Sequence, residues 1–204
     1  LETTQQHSSY HGYSTTDFYR ADPRYGSNDE FRELVNEAHK RGMKVVMDMI
    51  FNHIGSFHWW MNDLPSKDWI HQFDEFTRTN YRASTYLDPY ASKIDKMLME
   101  KGWFDVTMPD LNQSNPLVET YLIQTSLWWI AFSDLDGIRM DTYPYPQPDM
   151  MARWARRVGE EFPGFFIVGE VWYDDPSQIS YLALNKLNSD GYRSYLPSLT
   201  DFPV

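Results

Sequence analysis

Three short apolar runs in this sequence end in groups that could do chemistry. KVVMDM (Lys44 to Met49) carries Asp48 and leads into Asn52 and His53; DGIRMD (Asp136 to Asp141) carries Arg139 and Asp141; FFIVGE (Phe165 to Glu170) ends in Glu170. If Asp141 and Glu170 lie on adjacent strands, their carboxyl groups can approach to about 5 Å, the separation at which one acts as nucleophile and the other as acid/base in glycosyl transfer. Arg139 lies two residues before Asp141, so both side chains leave the strand on the same side. There the guanidinium would hold the Asp141 carboxylate ionised, as a nucleophile requires. Glu170 follows four apolar residues, and partial burial would raise its pKa toward that of a general acid. Singly, each group reads as a cap, a loop residue or a packing histidine. Their conjunction, with Gly137 and Gly169 where backbones can approach closely, is what points to a reactive site.

The elements that must position these groups alternate. Near-continuous apolar runs suit parallel strands buried on both faces. A helix is predicted from Asn28 to Arg41, with Ser27 and Glu30 as a capping box, Gly42 as its stop, and Phe31, Leu34, Val35 and Ala38 on one face. A second runs from Pro116 to about Ser133 behind Asn115. A third spans Pro148 to Phe162, with Met151, Trp154, Ala155 and Val158 inward, and a fourth starts at Asp175-Pro176. The order is a βα repeat, whose functional groups collect at the carboxyl edge of the sheet. Period is lost between His53 and Asn115, a stretch too long for bare loop and therefore a small subdomain or functional excursion. The final residues, from Leu199, read as the start of another strand.

Composition narrows the partners. The 18 Lys and Arg face 29 Asp and Glu, a formal charge of -11 that would repel nucleic acid. The most apolar stretch, Leu127 to Phe132, falls far short of the roughly 18 residues of a membrane span. With no cysteine, disulfides, thiolate catalysis and Cys-ligated metals are excluded. Aromatic residues make up 17% of the 204, a surplus that composition alone does not explain.

DMIFNH (Asp48 to His53), DGIRMD and GEVW (Gly169 to Trp172), in that order, resemble three signature segments of the α-amylase superfamily, glycoside hydrolase family 13. MPDLN (Met108 to Asn112) resembles a fourth, and HGYSTTDFYRADPRYGS (His11 to Ser27) resembles the segment after that family's second barrel strand. The resemblance implies an α/β fold, a partial (β/α)8 TIM barrel holding about strands three to five and the start of the sixth. Barrel segments at 1–52 and 116–204 would flank an inserted irregular subdomain at 53–115. It implies Asp141 as nucleophile, Glu170 as general acid/base, Arg139 orienting Asp141, His53 hydrogen-bonding the sugar being cleaved, Tyr13 stacking on that sugar, and Trp172 lining the leaving-group side. Asp48 would support the site without reacting; Trp59, Trp60 and Tyr81 are candidates for substrate contact. No cofactor is implied, although Asn52 matches a ligand of the structural calcium of some members.

MPDLN resembles a type intermediate between the QPDLN of the oligo-1,6-glucosidase group and the MPKLN of the neopullulanase and cyclomaltodextrinase group, while DGIRMDTYPY and GEVWYDD look most like bacterial neopullulanase or cyclomaltodextrinase-type enzymes, so the expected partner is an α-glucan, maltooligosaccharide or cyclodextrin. The expected reaction is retaining hydrolysis through a covalent glycosyl-Asp intermediate. A transglycosylase or isomerase using the same intermediate, a noncatalytic sugar-binding relative, and an unrelated metal-dependent barrel enzyme using His53 with Asp48 and Glu170 are the alternatives. A complete barrel takes about 250 residues, so further barrel segments and the family's third carboxylate are expected outside the chain, and these residues alone to have little activity. Compartment is not fixed, with a periplasmic or secreted location favoured over the cytoplasm.

Overall fold

Four parallel strands in the order β1-β2-β3-β4 form the sheet of the computed structural model, which describes residues 11–184 and 186–203. The strands are β1 (Val46–Ile50), β2 (Gly137–Asp141), β3 (Phe166–Gly169) and β4 (Ser198–Leu199). Register follows the expected runs: Asp48 pairs with Arg139, Ile50 with Asp141, and Met140 with Gly169. Leu199 pairs with Gly169, so the last residues do open a fourth strand.

Local chemistry fixes the helices. In α1 (Asn28–Lys40), Ser27 and Glu30 cap each other's backbone N–H groups, and Gly42 follows at φ +72°. In α3 (Pro116–Ser133) the Asn115 side chain accepts from the Leu117 N–H, and Asp134 ends the helix in the left-handed region at φ 54°. α4 (Pro148–Glu161) turns Met151, Trp154, Ala155 and Val158 inward. α5 (Pro176–Ser180) is capped by Asp175. The ring N–H of Trp154 donates to Ser126 at 2.8 Å, and that of Trp129 to the Phe18 carbonyl at 2.7 Å, so both large buried rings are polar-satisfied.

Three expectations change. Leu34 is 57% exposed, because the buried stripe of α1 narrows to Val35 and Ala38. Val46, at the start of β1, is 46% exposed. Between β1 and α3 the chain is not wholly irregular. It contains α2 (Lys93–Lys101), capped by Ser92, and two short 3-10 turns, Trp59–Met61 and Ala83–Tyr86. Its ends are tied together: Ile54 N–H donates to the Pro109 carbonyl at 3.0 Å and Leu111 N–H to the Asn52 carbonyl at 2.9 Å.

Gly169 must be glycine, because a Cβ there would lie 2.8 Å from Leu196 Cδ2 and 2.9 Å from Tyr143 Cγ. Gly137 faces Phe166 as closely. At the opposite edge from the site, Asp136 binds Lys44 Nζ and His39 Nε2, each at 2.7 Å, and accepts from the Val45 N–H at 2.8 Å. Burial pushes the Asp136 carboxyl up, but these donors outweigh it and hold it at about 2. Its stabilisation is therefore present above about pH 4, the unfolded value, and lost as pH falls through about 2. Asp136→Ala is expected to cost about 2 kcal/mol at pH 7, since charge-assisted bonds and the Val45 donor lose their partner. Thermal unfolding at pH 7 and pH 2 checks this: the difference from wild type should shrink at the acid end.

Candidate active site

The parallel register converts three sequence positions into one cluster. Asp48 and Arg139 are direct cross-strand partners, and Asp141 and Glu170 lie one step beyond the Met140–Gly169 pair. Arg139 Nη1 donates to both oxygens of Asp48, at 2.8 and 2.9 Å, and to Asp141 Oδ1 at 3.0 Å; its Nη2 donates to Glu170 Oε1. One guanidinium thus meets three carboxylates. Tyr13 adds a hydroxyl that donates to Asp48 Oδ2 at 3.1 Å, with the Arg139 Cζ 6.0 Å from its ring centroid.

Asp141 and Glu170 thus meet the same guanidinium, one through each Nη. Burial, and then the charge of Glu170, push Asp141 up to about 7 against the pull of Arg139. Glu170 moves the other way. Burial raises it, but the Thr142 N–H at 3.0 Å, the Trp172 side chain and Arg139 together hold it below its ordinary value. This differs from the expectation that Arg139 holds Asp141 ionised and that burial keeps Glu170 protonated: the two neighbouring carboxyls are pushed in opposite directions, Asp141 up and Glu170 down. Thr142 supplies its N–H from φ +47°, a costly conformation for a β-branched residue.

Above the carboxylates is a cavity of about 320 Å³ lined by Tyr13, His53, Asp141, Glu170 and Trp172, all expected, together with His11, Phe104, Met108, Thr142 and Tyr145. His53 is 1% exposed, and burial lowers its pKa to about 4, so the imidazole is neutral. Its Nε2 donates to the Tyr13 carbonyl at 3.1 Å, while Nδ1 faces the Asn52 amide nitrogen at 3.2 Å. Both ring nitrogens are therefore engaged within the protein, and a sugar hydroxyl would have to displace Tyr13 to reach one. Trp172 is 65% exposed and stacks on Phe202 with centroids 4.0 Å apart.

Trp60 is no substrate contact: it is 1% exposed and packed among Phe18, His58, Trp69 and Tyr121. Trp59 is exposed but lies outside the cavity lining. Tyr81 also lies outside it, holding Phe104 through a hydroxyl bond to the Phe104 carbonyl at 2.5 Å. Phe104 and Tyr145 had one sequence signal each, a position four residues before Met108 and four after Asp141.

Asn52 was the position with a calcium resemblance. Its nearest buried carboxyl across the His53–Asp110 bridge, Asp110, is bonded to His71 Nδ1 at 2.7 Å. Burial pushes the Asp110 carboxyl up and the His71 imidazole down, so each disfavours its charged form. Among the described residues no group of three or more His, Asp or Glu is placed to hold a metal. Calcium takes six to eight oxygens, which backbone carbonyls and amide side chains such as that of Asn52 can also supply.

Because Asp141 is protonated more readily folded than unfolded, its contribution is fully present below about pH 4 and lost as pH rises through about 7. Asp141→Asn is accordingly expected to raise the melting temperature by an amount that is small at pH 4, grows to pH 7 and is constant above it. Calorimetric scans of both proteins across that range measure it.

Comparison with known proteins fits this geometry. The alpha-amylase family model, described as the alpha amylase catalytic domain, matches residues 3–192. The intracellular maltogenic amylase of Bacillus subtilis (strain 168) is 34% identical over 165 residues, 81% of this chain and 26% of that protein. A cyclomaltodextrinase of Thermoanaerobacter pseudethanolicus is 34% identical over 172 residues, 81% of this chain and 28% of that protein. The crystal structure of an alpha-amylase from Geobacillus thermoleovorans complexed with acarbose has a TM-score of 0.74 at 36% identity, covering 95% of this chain and 38% of that one. This chain spans about a quarter of the length of these curated relatives. Its four parallel strands form part of a TIM barrel. With a family model covering most of its residues, and the carboxylate and arginine cluster at the carboxyl edge of its sheet, the chain belongs to the alpha-amylase family.

Proposed function

We propose that these residues carry the nucleophile and acid/base of a retaining glycosidase that cleaves α-glucosidic bonds of α-glucans, maltooligosaccharides or cyclodextrins. The observation that carries this reading is the pair Asp141 and Glu170, both hydrogen-bonded to Arg139 and both lining one cavity. A glucosyl ring entering between the carboxyls separates them. With the proton on Glu170, its negative charge no longer opposes ionisation of Asp141, and Arg139 stabilises the carboxylate that results. Asp141 then attacks the anomeric carbon while the bond to the leaving oxygen breaks and that oxygen takes the Glu170 proton. The product is a glycosyl ester of Asp141. Glu170, now a carboxylate, takes a proton from water as the water oxygen attacks the same carbon, and Asp141 is released.

Trp172, exposed beside Glu170, would meet the leaving part of the substrate, and Tyr13 the ring being cleaved. His53, neutral and buried, would form the wall between them. We infer further that 53–115 acts as an inserted unit between barrel portions at 1–52 and 116–204, and that other barrel segments of a longer chain complete the enzyme. The relatives named above as maltogenic amylase and cyclomaltodextrinase support the substrate class.

In the full-length protein, Asp141→Asn and Glu170→Gln should each lower kcat/KM for maltotriose by at least about a thousandfold, the scale of losing a nucleophile or general acid. Wild-type kcat/KM should fall as pH rises past about 7, where the proton that burial and Glu170 hold on Asp141 in the free enzyme is lost. Unchanged turnover in Asp141→Asn would falsify the assignment. Residues 1–204 expressed alone should turn over maltotriose far more slowly than the full-length protein, and equal rates would overturn the view that further barrel segments are needed.

A further inference from the structure

Phe104 reaches the cavity from the stretch between β1 and α3, and the structure shows what holds it there. Two segments of that stretch run side by side: Trp103 N–H donates to the Thr77 carbonyl at 2.9 Å and Thr79 N–H to the Trp103 carbonyl at 3.0 Å. They approach so closely that a Cβ on Gly102 would lie 2.5 Å from both the Thr79 nitrogen and the Leu98 carbonyl oxygen. Two residues on, Tyr81 turns back at φ 58°, outside the range that L side chains favour. Its hydroxyl donates to the Phe104 carbonyl at 2.5 Å, and its own carbonyl accepts from the Tyr145 hydroxyl at 3.3 Å.

Tyr145 follows β2, four residues after Asp141, so these two bonds tie the far part of the stretch to the strand end that carries the proposed nucleophile. The Phe104 ring is set by three neighbours. It stacks on His53 at 4.9 Å and 23°, and meets Tyr81 and Tyr145 edge-on at 5.2 and 5.6 Å. What remains of its surface lines the cavity that Asp141 and Glu170 also line. Strain of this kind persists only where surrounding contacts over-determine it, and it concentrates where geometry matters for function.

We propose that Phe104 is a substrate-binding residue, the apolar wall against which a hexopyranosyl ring packs, and that Tyr81 and Tyr145 are positioning residues forming a latch that sets its depth. The proposal rests on the glycosidase reading for its kinetic consequences. The wall itself needs only that the cavity binds a sugar. Because the ring contributes apolar contact and no proton, its loss should weaken binding without altering the chemical step. Because the two hydroxyls act in series on one segment, breaking either should release the same constraint.

The test uses the full-length protein, with kcat and KM for maltotriose and, in an Asp141→Asn background, maltotetraose affinity by titration calorimetry. Phe104→Ala should raise KM and Kd about tenfold with kcat within about threefold, and Phe104→Tyr should restore both. Tyr81→Phe and Tyr145→Phe should each raise Kd about threefold, and the double variant should raise it no further than either alone. Circular dichroism melts separate a local effect from unfolding. A Kd unchanged in Phe104→Ala, or latch variants whose effects multiply, would overturn the proposal. Loss of turnover in the wild type with the Kd pattern intact would overturn the glycosidase reading and leave the wall standing.

Discussion

One cation among three carboxylates is the constraint on which the site depends. Arg139 is held by the register of β1 against β2 and spends its donors on Asp48, Asp141 and Glu170. Without it, three acids at one sheet edge would repel each other and at least two would be driven neutral. With it, the cluster still carries more negative charge than positive, and burial together with the charge of Glu170 pushes the Asp141 carboxyl up. Asp48, the most exposed of the three, takes the guanidinium at two contacts and so limits how fully it neutralises the other two.

Much of this was legible in the sequence because the interactions are local or periodic. Ser27 with Glu30, Asn115 with Pro116, and Pro148 announce their helices through groups within a turn of each other. The strands announce themselves as apolar runs, and their shared direction brings their polar ends together. What was not legible depends on contacts remote in sequence. Trp59 and Trp60 are adjacent and chemically identical, yet one is half exposed and the other buried against α3 through Tyr121. The protonation of Glu170 turns on a backbone N–H, that of Thr142, whose direction comes from a left-handed φ that no residue type at that position announces. Phe104 belongs to a stretch whose bonds are loop-to-loop and carry no period.

The aromatic surplus divides accordingly. A large share of it is structural: Phe18, Trp60, Trp69 and Tyr121 form one group of contacting rings, Phe31, Trp128, Trp129 and Phe132 another, and Tyr19 joins the two through Tyr121 and Trp128. The part near the carboxylates is smaller, Tyr13, Phe104, Tyr145 and Trp172, and comes from four separate segments of the chain. Edge-to-face packing of such rings adds stability beyond area alone, so the same residue type serves the core and the cavity wall with no change in composition.

The stretch between β1 and α3 leaves the sheet at Asn52 and returns at Leu111, and those two residues are hydrogen-bonded to each other. A loop whose ends are already pinned side by side adds little closure entropy as it lengthens, on the order of 0.6 kcal/mol per doubling. Its size and contents are therefore nearly uncoupled from the strands beneath. An exchange of the whole segment for one of different length would leave the carboxylates and their arginine in register while replacing one wall of the cavity, which makes this junction a natural boundary for recombination or grafting.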